Sequence, residues 1–341
     1  MLELDGSYGE GGGQILRTAV SLSTLTKKPI KIKKIRANRP NPGIKPQHYI
    51  SIQAIKELCG AETKGLEIGS SELTFKPGNF KGGEYKFDIG TAGSITLAYQ
   101  AIILASLKTE TPVSIRLNGG TDVKWSPSWD YFQNVFLSLL QKCGIKIDAK
   151  IIKRGYYPKG GGETIINISP IEKIKPLKLN KTQEFKNVEG IIHISNLPDH
   201  ISTRIKHSAI KTLLKNDLMT SIEIDKSESL SPGTGITLWS KTKDTILGTT
   251  LLGERDLLSE EVGKNAALNL FDEIQTESTL DVFALDQLLP YMVLAKEKGA
   301  SSCIVKNISN HAQTNMWLIK QFFDVDFQAK QDYDNIYISV S

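Results

Sequence analysis

The chain is poor in the residues that build metal centres and disulfide frameworks. Its 341 residues include three cysteines, Cys59, Cys143 and Cys303, and five histidines. The cysteines are far apart and odd in number, with no CxxC or Cys/His spacing, which excludes a zinc module and a disulfide-stapled fold. They read as small buried hydrophobes in a reducing compartment. Aromatic residues make up 7% of the chain and form no basic–aromatic run, so no generic single-strand-binding surface is written in it. No apolar run approaches the length of a membrane span, and the N-terminus opens on strand-like residues rather than a basic-then-apolar signal. The expectation is a cytoplasmic protein with no membrane partner. A formal net charge of +5 permits a polyanionic partner without requiring one. Two common nucleotide signatures are also missing. GxxxxGK[ST] needs a lysine where Gln14 follows Gly13, and the alternate spacing of Gly9, Gly11 and Gly13 does not fit a dinucleotide fingerprint.

What the chain does have is DGSYGEGGGQILR at 5–17. Glycines sit there between a short apolar start and a run in which Ile15, Ala19 and Leu22 recur at helical spacing. Glycine lets a backbone approach a ligand closely, and a helix N-terminus favours an anion. Glu10 and Arg17 bracket the turn with opposite charges, which a purely structural turn does not need. The segment is a candidate phosphate-handling corner.

A unit of about eighty residues recurs along the chain. The first copy, from Met1 to about Phe80, reads as a strand, the glycine turn, a helix near 14–26, a strand near 30–37, a helix near 46–59 and a hairpin. Pro46 starts that second helix and Gly60 stops it. The second copy begins near Gly82, with GTAGS at 90–94 in place of the first glycine turn. A helix through Leu97, Ala101 and Ala105, a strand at 113–117, the loop GGTDVKWSPSW, a helix near 129–142 and a hairpin follow. A third copy is expected to start around RGYYPKGGGETIINIS (154–169), to be interrupted, and to resume with helices at 280–298 and 312–323. The interruption, 181–276, has its own strands and two helices, enough for a small α/β domain. Lys173 to Lys181 reads as a solvated linker at its entry. The fold class expected is α/β (α+β). A large domain, 1–180 and 277–341, consists of three units of two helices and a four-stranded sheet, and a small α/β domain is inserted in the third.

Six separated blocks carry a resemblance: DGSYGEGGGQILR (5–17), IRANRPNPGIKPQH (35–48), GGTD (119–122), RGYYPKGGGE (154–163), LDQLLP (285–290) and NHAQTN (310–315). In this order they resemble the RNA 3′-terminal phosphate cyclases over essentially the whole chain. The resemblance implies an ATP-dependent ligase-type enzyme that converts an RNA 3′-phosphate end to a 2′,3′-cyclic phosphate. His311, just before a predicted helix, is then the nucleophile that takes AMP from the α-phosphate of ATP, releasing pyrophosphate. The adenylate passes to the RNA 3′-phosphate, and attack by the neighbouring 2′-hydroxyl expels AMP. Neutral imidazole suits the first step, because its ordinary pKa lies near 6.5.

Further roles follow from the resemblance. Arg17 and Arg39 are catalytic. Arg36, Arg39, Gln47 and His48 hold the RNA phosphate, since guanidinium forks pair with phosphate oxygens in two places. Relatives often carry a basic residue just before the QH pair; here Pro46 stands there and Lys45 is one position off. Glu10, Gln14, Asp286 and Gln287 belong to the ATP site, where Pro127 and Phe283 form the two faces of an adenine slot. Glu10 and Asp286 are the carboxylates for a Mg²⁺ or Mn²⁺ ion that offsets phosphate charge. Gly160 to Gly162 make a close turn without a catalytic role, and His193, His200 and His207 read as ordinary residues of the insert. RNA ends and ATP are the expected partners, with a homodimer open. Among rivals, a cyclase-like ribosome-assembly scaffold would lack the histidine of the HxxTN block. An enolpyruvyl transferase shares the repeated architecture but would need no adenylate-accepting histidine.

Overall fold

The computed structural model describes residues 1–182 and 184–341. The chain opens with β1 (Leu2–Asp5), α1 (Gly13–Thr26), β2 (Ile30–Lys33), α2 (Pro46–Cys59), β3 (Glu62–Lys64) and β4 (Leu73–Lys76). These strands form a sheet in the order β1-β2-β4-β3, with β1 and β2 parallel and the other pairs antiparallel. Next come β5 (Gly83–Asp88), α3 (Ile95–Ala105), β6 (Val113–Gly119), α4 (Trp129–Tyr131), a π-turn (Phe132–Phe136), α5 (Leu137–Lys142), β7 (Ile147–Lys153) and β8 (Gly162–Ile168). Their sheet, β5-β6-β8-β7, repeats the order and the directions of the first.

A third sheet starts with the two-residue β9 (Lys178–Leu179). The chain then leaves for β10 (Asn187–Ser195), α6 (Asp199–Leu214), β11 (Met219–Ser227), β12 (Gly233–Lys241), β13 (Ile246–Leu252) and α7 (Ser259–Gln275). It returns with α8 (Val282–Leu294), β14 (Ser301–Val305), α9 (Asn310–Lys320), β15 (Phe327–Asp332) and β16 (Asn335–Val340). The third sheet runs β9-β14-β16-β15 and again pairs its first two strands in parallel. The fourth, β11-β10-β12-β13, differs, because its first strand lies inside the sheet. The result is a mixed α+β protein.

Alternating side chains explain how the sheets bury one face. Val113, Ile115 and Leu117 of β6 are buried, while Ser114, Arg116 and Asn118 between them are partly open. One hydrophobic core runs through the first three sheets and the helices α1, α2, α3, α8 and α9. A second core is built from residues between Phe185 and Leu270. In the first, α1 packs against α2, α3 and α9, and α3 against α8, so the N-terminal ends of several helices gather in one place.

Three sequence-based expectations are corrected. RGYYPKGGGE does not begin the third unit: residues 154–161 are the turn between β7 and β8, the closing hairpin of the second sheet. A glycine-rich stretch before a strand resembled the first glycine turn, whereas the true opening strand, β9, has two residues and little pattern to read. It lies inside the lysine-rich segment taken for a linker, where Leu177 and Leu179 are buried. The strand near 30–37 stops at Lys33, because Lys34 and Arg36 take left-handed backbone angles of φ 53° and 55° and turn the chain.

Candidate active site

A cavity of about 960 Å³ opens where the glycine loop, α1, α3, α8 and α9 converge. The loop's geometry depends on glycine. Gly9 has φ 57°, and a Cβ there would lie 2.4 Å from Thr314 Oγ1 of α9. At Gly13 a Cβ would fall 2.0 Å from the Nε2 of His48. The loop therefore lies directly on the helix that carries His311. Tyr8 stacks on Trp317 with ring centres 3.9 Å apart and tightens the same contact.

His311 sits in the first turn of α9, which starts two residues earlier than expected, because Ser309 accepts a hydrogen bond from the Ala312 N–H and caps the helix. Gln14 Nε2 donates to the His311 carbonyl at 3.1 Å, which turns the amide oxygen toward the ring. That oxygen lies 2.6 Å from Nδ1, so Nδ1 carries the hydrogen and the neutral ring keeps a lone pair on Nε2. Nε2 faces Glu10 Oε2 at 3.2 Å, and Arg39 Nη2 holds the same oxygen at 3.2 Å. Enclosure lowers the pKa of His311. Glu10 opposes that shift, and Arg17 and Arg39 add to it. A lone pair facing a carboxylate is repulsive, and a proton or a cation at that point relieves it.

Behind this histidine, Arg17 and Arg36 have no counter-charge among the described residues. Arg17 makes no side-chain hydrogen bond or ion pair with any described residue. Burial, with Arg36 beside it, pulls its pKa down to about 10. Arg36 is held by the carbonyls of Asn41 and Gly43, at 2.6 and 3.3 Å. His48 accepts from the Lys45 N–H at 3.2 Å. Burial, then Arg17, Arg36 and Lys45, hold it well below the usual histidine range. Buried positive charge without a partner costs free energy that an anion would return. Arg36 and Arg39 lie in the loop beyond β2, not at a strand end.

This arrangement predicts the behaviour of Arg17→Met. A substitution of similar length removes a half-buried charge that has no partner among the described residues, so the denaturation midpoint is expected to stay level or rise. The kcat/KM is expected to fall roughly 10²–10³-fold, the scale of one lost pre-organised donor. Chemical denaturation and steady-state rates on one preparation check it; a variant that loses stability but keeps activity overturns it.

The other expected residues also reach the cavity. Gln47 accepts from the Ser94 N–H at 3.1 Å, tying α2 to the second glycine turn. Gln287 accepts from Gln100 at 2.7 Å and donates to the Phe283 carbonyl at 2.7 Å. Phe283 is 58% exposed on the cavity rim. Pro127 lies on the rim too, its carbonyl held by Thr96 at 2.8 Å. The Asp286 carboxyl makes no hydrogen bond or ion pair with any described residue. Enclosure, Asp281 and Glu10 push its pKa well above the usual carboxylate range. Asp281, not Asp286, caps α8. Two hard-oxygen groups that repel one another suit a divalent cation. Sequence reasoning missed Gln100, Trp125, Tyr291 and Asn315 on these walls, and Thr250, which β13 brings from the interrupting segment.

A second polar cluster explains two of the six blocks. Arg154, of RGYYPKGGGE, is buried and donates to Asp122 of GGTD at 3.1 Å, to both Asp130 oxygens at 3.0 Å and to Asp225 of β11 at 2.7 Å. His193 of β10 is fully buried beside them, its Nδ1 2.9 Å from the Tyr156 hydroxyl. Burial takes its pKa down to about 4, so the ring is neutral at pH 7. His193, read from sequence as an ordinary residue, lies where the interrupting segment meets the second sheet. Asp122, Asp130 and His193 could hold a metal by spacing, but the Arg154 guanidinium already supplies the cation.

Fold and site together define an α+β protein with a cavity in which His311, Glu10 and three arginines gather beside a glycine-rich loop. The family model described as RNA 3′-terminal phosphate cyclase matches residues 8–329. The chain belongs to that family. It is 43% identical over 330 residues to the RNA 3′-terminal phosphate cyclase of Pyrococcus furiosus, covering 97% of this chain and 95% of that one. It is 42% identical to the protein of that name from Methanopyrus kandleri, over 97% and 95% of the two chains. With that from Thermococcus kodakarensis it shares 44% over 96% and 94%. No helix among the described residues is long and apolar enough to cross a membrane.

Proposed function

We propose that the protein converts an RNA 3′-terminal phosphate to a 2′,3′-cyclic phosphate, consuming ATP and releasing pyrophosphate and AMP. The observation that carries this reading is His311, whose Nδ1 is pinned by Gln14 so that Nε2 is turned to the Glu10–Arg39 pair, in the cavity that also holds Arg17. Nε2 attacks the α-phosphorus of ATP, the bond to pyrophosphate breaks, and AMP is held on the histidine. A terminal oxygen of the RNA 3′-phosphate then takes the AMP, which converts a poor leaving group into a good one. The 2′-hydroxyl attacks the activated phosphorus, loses its proton, and AMP departs.

Arg17 and Arg39 stabilise charge on the reacting phosphates; Arg36, Arg39, Gln47 and His48 seat the RNA end. Pro127 and Phe283 flank the adenine, and Gln14 and Gln287 complete the nucleotide site. Glu10 and Asp286 would hold a Mg²⁺ or Mn²⁺ ion, which when bound supplies neutralisation of α-phosphate and pyrophosphate charge. Residues 181–276 are read as a small domain inserted in a catalytic body of 1–180 and 277–341, and the separate core of that segment supports the division.

The test uses an oligoribonucleotide with a labelled 3′-phosphate. With ATP and Mg²⁺ or Mn²⁺ the label is expected to become resistant to phosphatase, and to remain sensitive without ATP. Folded protein that leaves the label sensitive under both metals would favour a scaffold role.

A further inference from the structure

Trp125 stands out from the chain's four tryptophans. Trp129 and Trp239 are buried, and Trp317 is stacked on Tyr8, but Trp125 is 95% exposed. Its backbone is left-handed, φ 61°, a strained conformation for a bulky residue. Such strain persists only where the surroundings impose it, and here they do. Asp122 accepts from the Trp129 N–H at 3.2 Å and is itself clamped by Arg154. Lys124 pairs with Glu254 at 2.6 Å, Ser126 donates to the Val123 carbonyl at 2.8 Å, and the Pro127 carbonyl is held by Thr96. These neighbours are tied to other elements, whereas the indole is presented to solvent. It does so on the rim of the cavity that holds Arg17, Arg36 and His311.

We propose that Trp125 is a stacking platform for a nucleobase in the last two nucleotides of the RNA, a specificity contact for the reaction read above, on which it rests. The rigid loop lowers the ordering cost of the contact, because the face is set before RNA arrives. A flat apolar surface accepts any base, so the contact adds affinity without a sequence requirement. The adenine of ATP is the weaker candidate. Pro127 and Phe283 are already read as the two faces of its slot, which leaves the third flat surface on the rim for a base of the RNA.

The experiment compares wild type, Trp125→Ala and Trp125→Phe on short oligoribonucleotides ending in a 3′-phosphate. In Trp125→Ala the KM for RNA is expected to rise about tenfold, equivalent to about 1.4 kcal/mol, with the KM for ATP changed less than about twofold. Phenylalanine is expected to restore most of the affinity. With an oligonucleotide abasic at the last or the penultimate position, the alanine penalty is expected to vanish for one of the two. RNA is also expected to quench wild-type tryptophan fluorescence more than that of Trp125→Phe. An unchanged RNA KM overturns the proposal, as does a penalty that persists on both abasic substrates. A rise in the KM for ATP instead would assign the indole to adenine. If wild type does not cyclise RNA at all, the reading of function fails rather than this contact.

Discussion

His311→Ala protein incubated with ATP labelled at the α-phosphate is expected to retain no label after denaturation, whereas wild type is expected to carry an acid-labile, alkali-stable adduct. Cyclisation in the variant falls roughly 10⁴-fold or more, the scale seen when a covalent nucleophile is deleted. The stability of the variant should be nearly unchanged, because the ring is about half exposed and its one-sided contacts are to Gln14 and Glu10. Label that persists in the variant would move the nucleophile elsewhere. The pH profile sharpens the test. Only the neutral ring attacks, and the His311 pKa is lowered from the ordinary histidine value near 6.5 by enclosure and the two arginines. The rate of labelling should therefore be flat above pH 6.5 and fall only at lower pH. Glu10→Gln removes the one influence that raises this pKa, so its acid limb should move further down. An acid limb above the ordinary histidine value would contradict the assignment.

Arg154→Met is expected to destabilise the protein by about 3–5 kcal/mol, since it strands two buried carboxylates. Asp122 and Asp130 are almost wholly inaccessible, and the guanidinium is the cation bonded to both. Burial already pushes Asp130 up to about 6 with the arginine in place. Without it both carboxyls bind protons more tightly when folded than when unfolded. A group of raised folded pKa loses its stabilising contribution as pH rises through that value. The loss in Arg154→Met should thus be smallest near pH 5 and largest near pH 8. Chemical denaturation at the two pH values measures it. Adding Asp122→Asn and Asp130→Asn should recover part of the loss, and a single variant within about 1 kcal/mol of wild type would refute the argument.

How much of this was legible in the sequence depended on the distance over which a signal acts. The glycine loop, Pro46 and Gly60 are local: turns and caps are specified by neighbouring residues, and they were found where expected. Glu10 and Arg17 stand out by bracketing the glycine turn with opposite charges, His311 was marked by the resemblance of its block, and the cavity gathers all three. Trp125, Gln100 and Asn315 could not be placed that way. Gln100 and Asn315 reach the cavity through the packing of α3, α8 and α9, and Trp125 through the loop between β6 and α4, and no local pattern encodes either. RGYYPKGGGE was misplaced for a related reason: Arg154 answers to Asp122, Asp130 and Asp225, distant in sequence, and glycines that permit a hairpin turn look like glycines that cradle a phosphate. The reading of β9 failed because two residues cannot display a period of two.

That short strand has a consequence for how the chain assembles. Lys178 and Leu179 pair with Ser302 and Cys303, so the third sheet joins its first two strands across the whole interrupting segment. An unstructured tether of that length carries a loop-closure entropy that so few bridges cannot offset. If the intervening β10–α7 segment collapses first around its own core, its two ends come together and the tether is shortened. Assembly should then run from the middle outward, with the C-terminal strands arriving last. Non-local closure of this kind is slow, and α9, which delivers His311, lies within the late-docking part. Pulsed hydrogen exchange would find protection in β10–β12 before β14–β16, and catalytic competence would appear only with the latter.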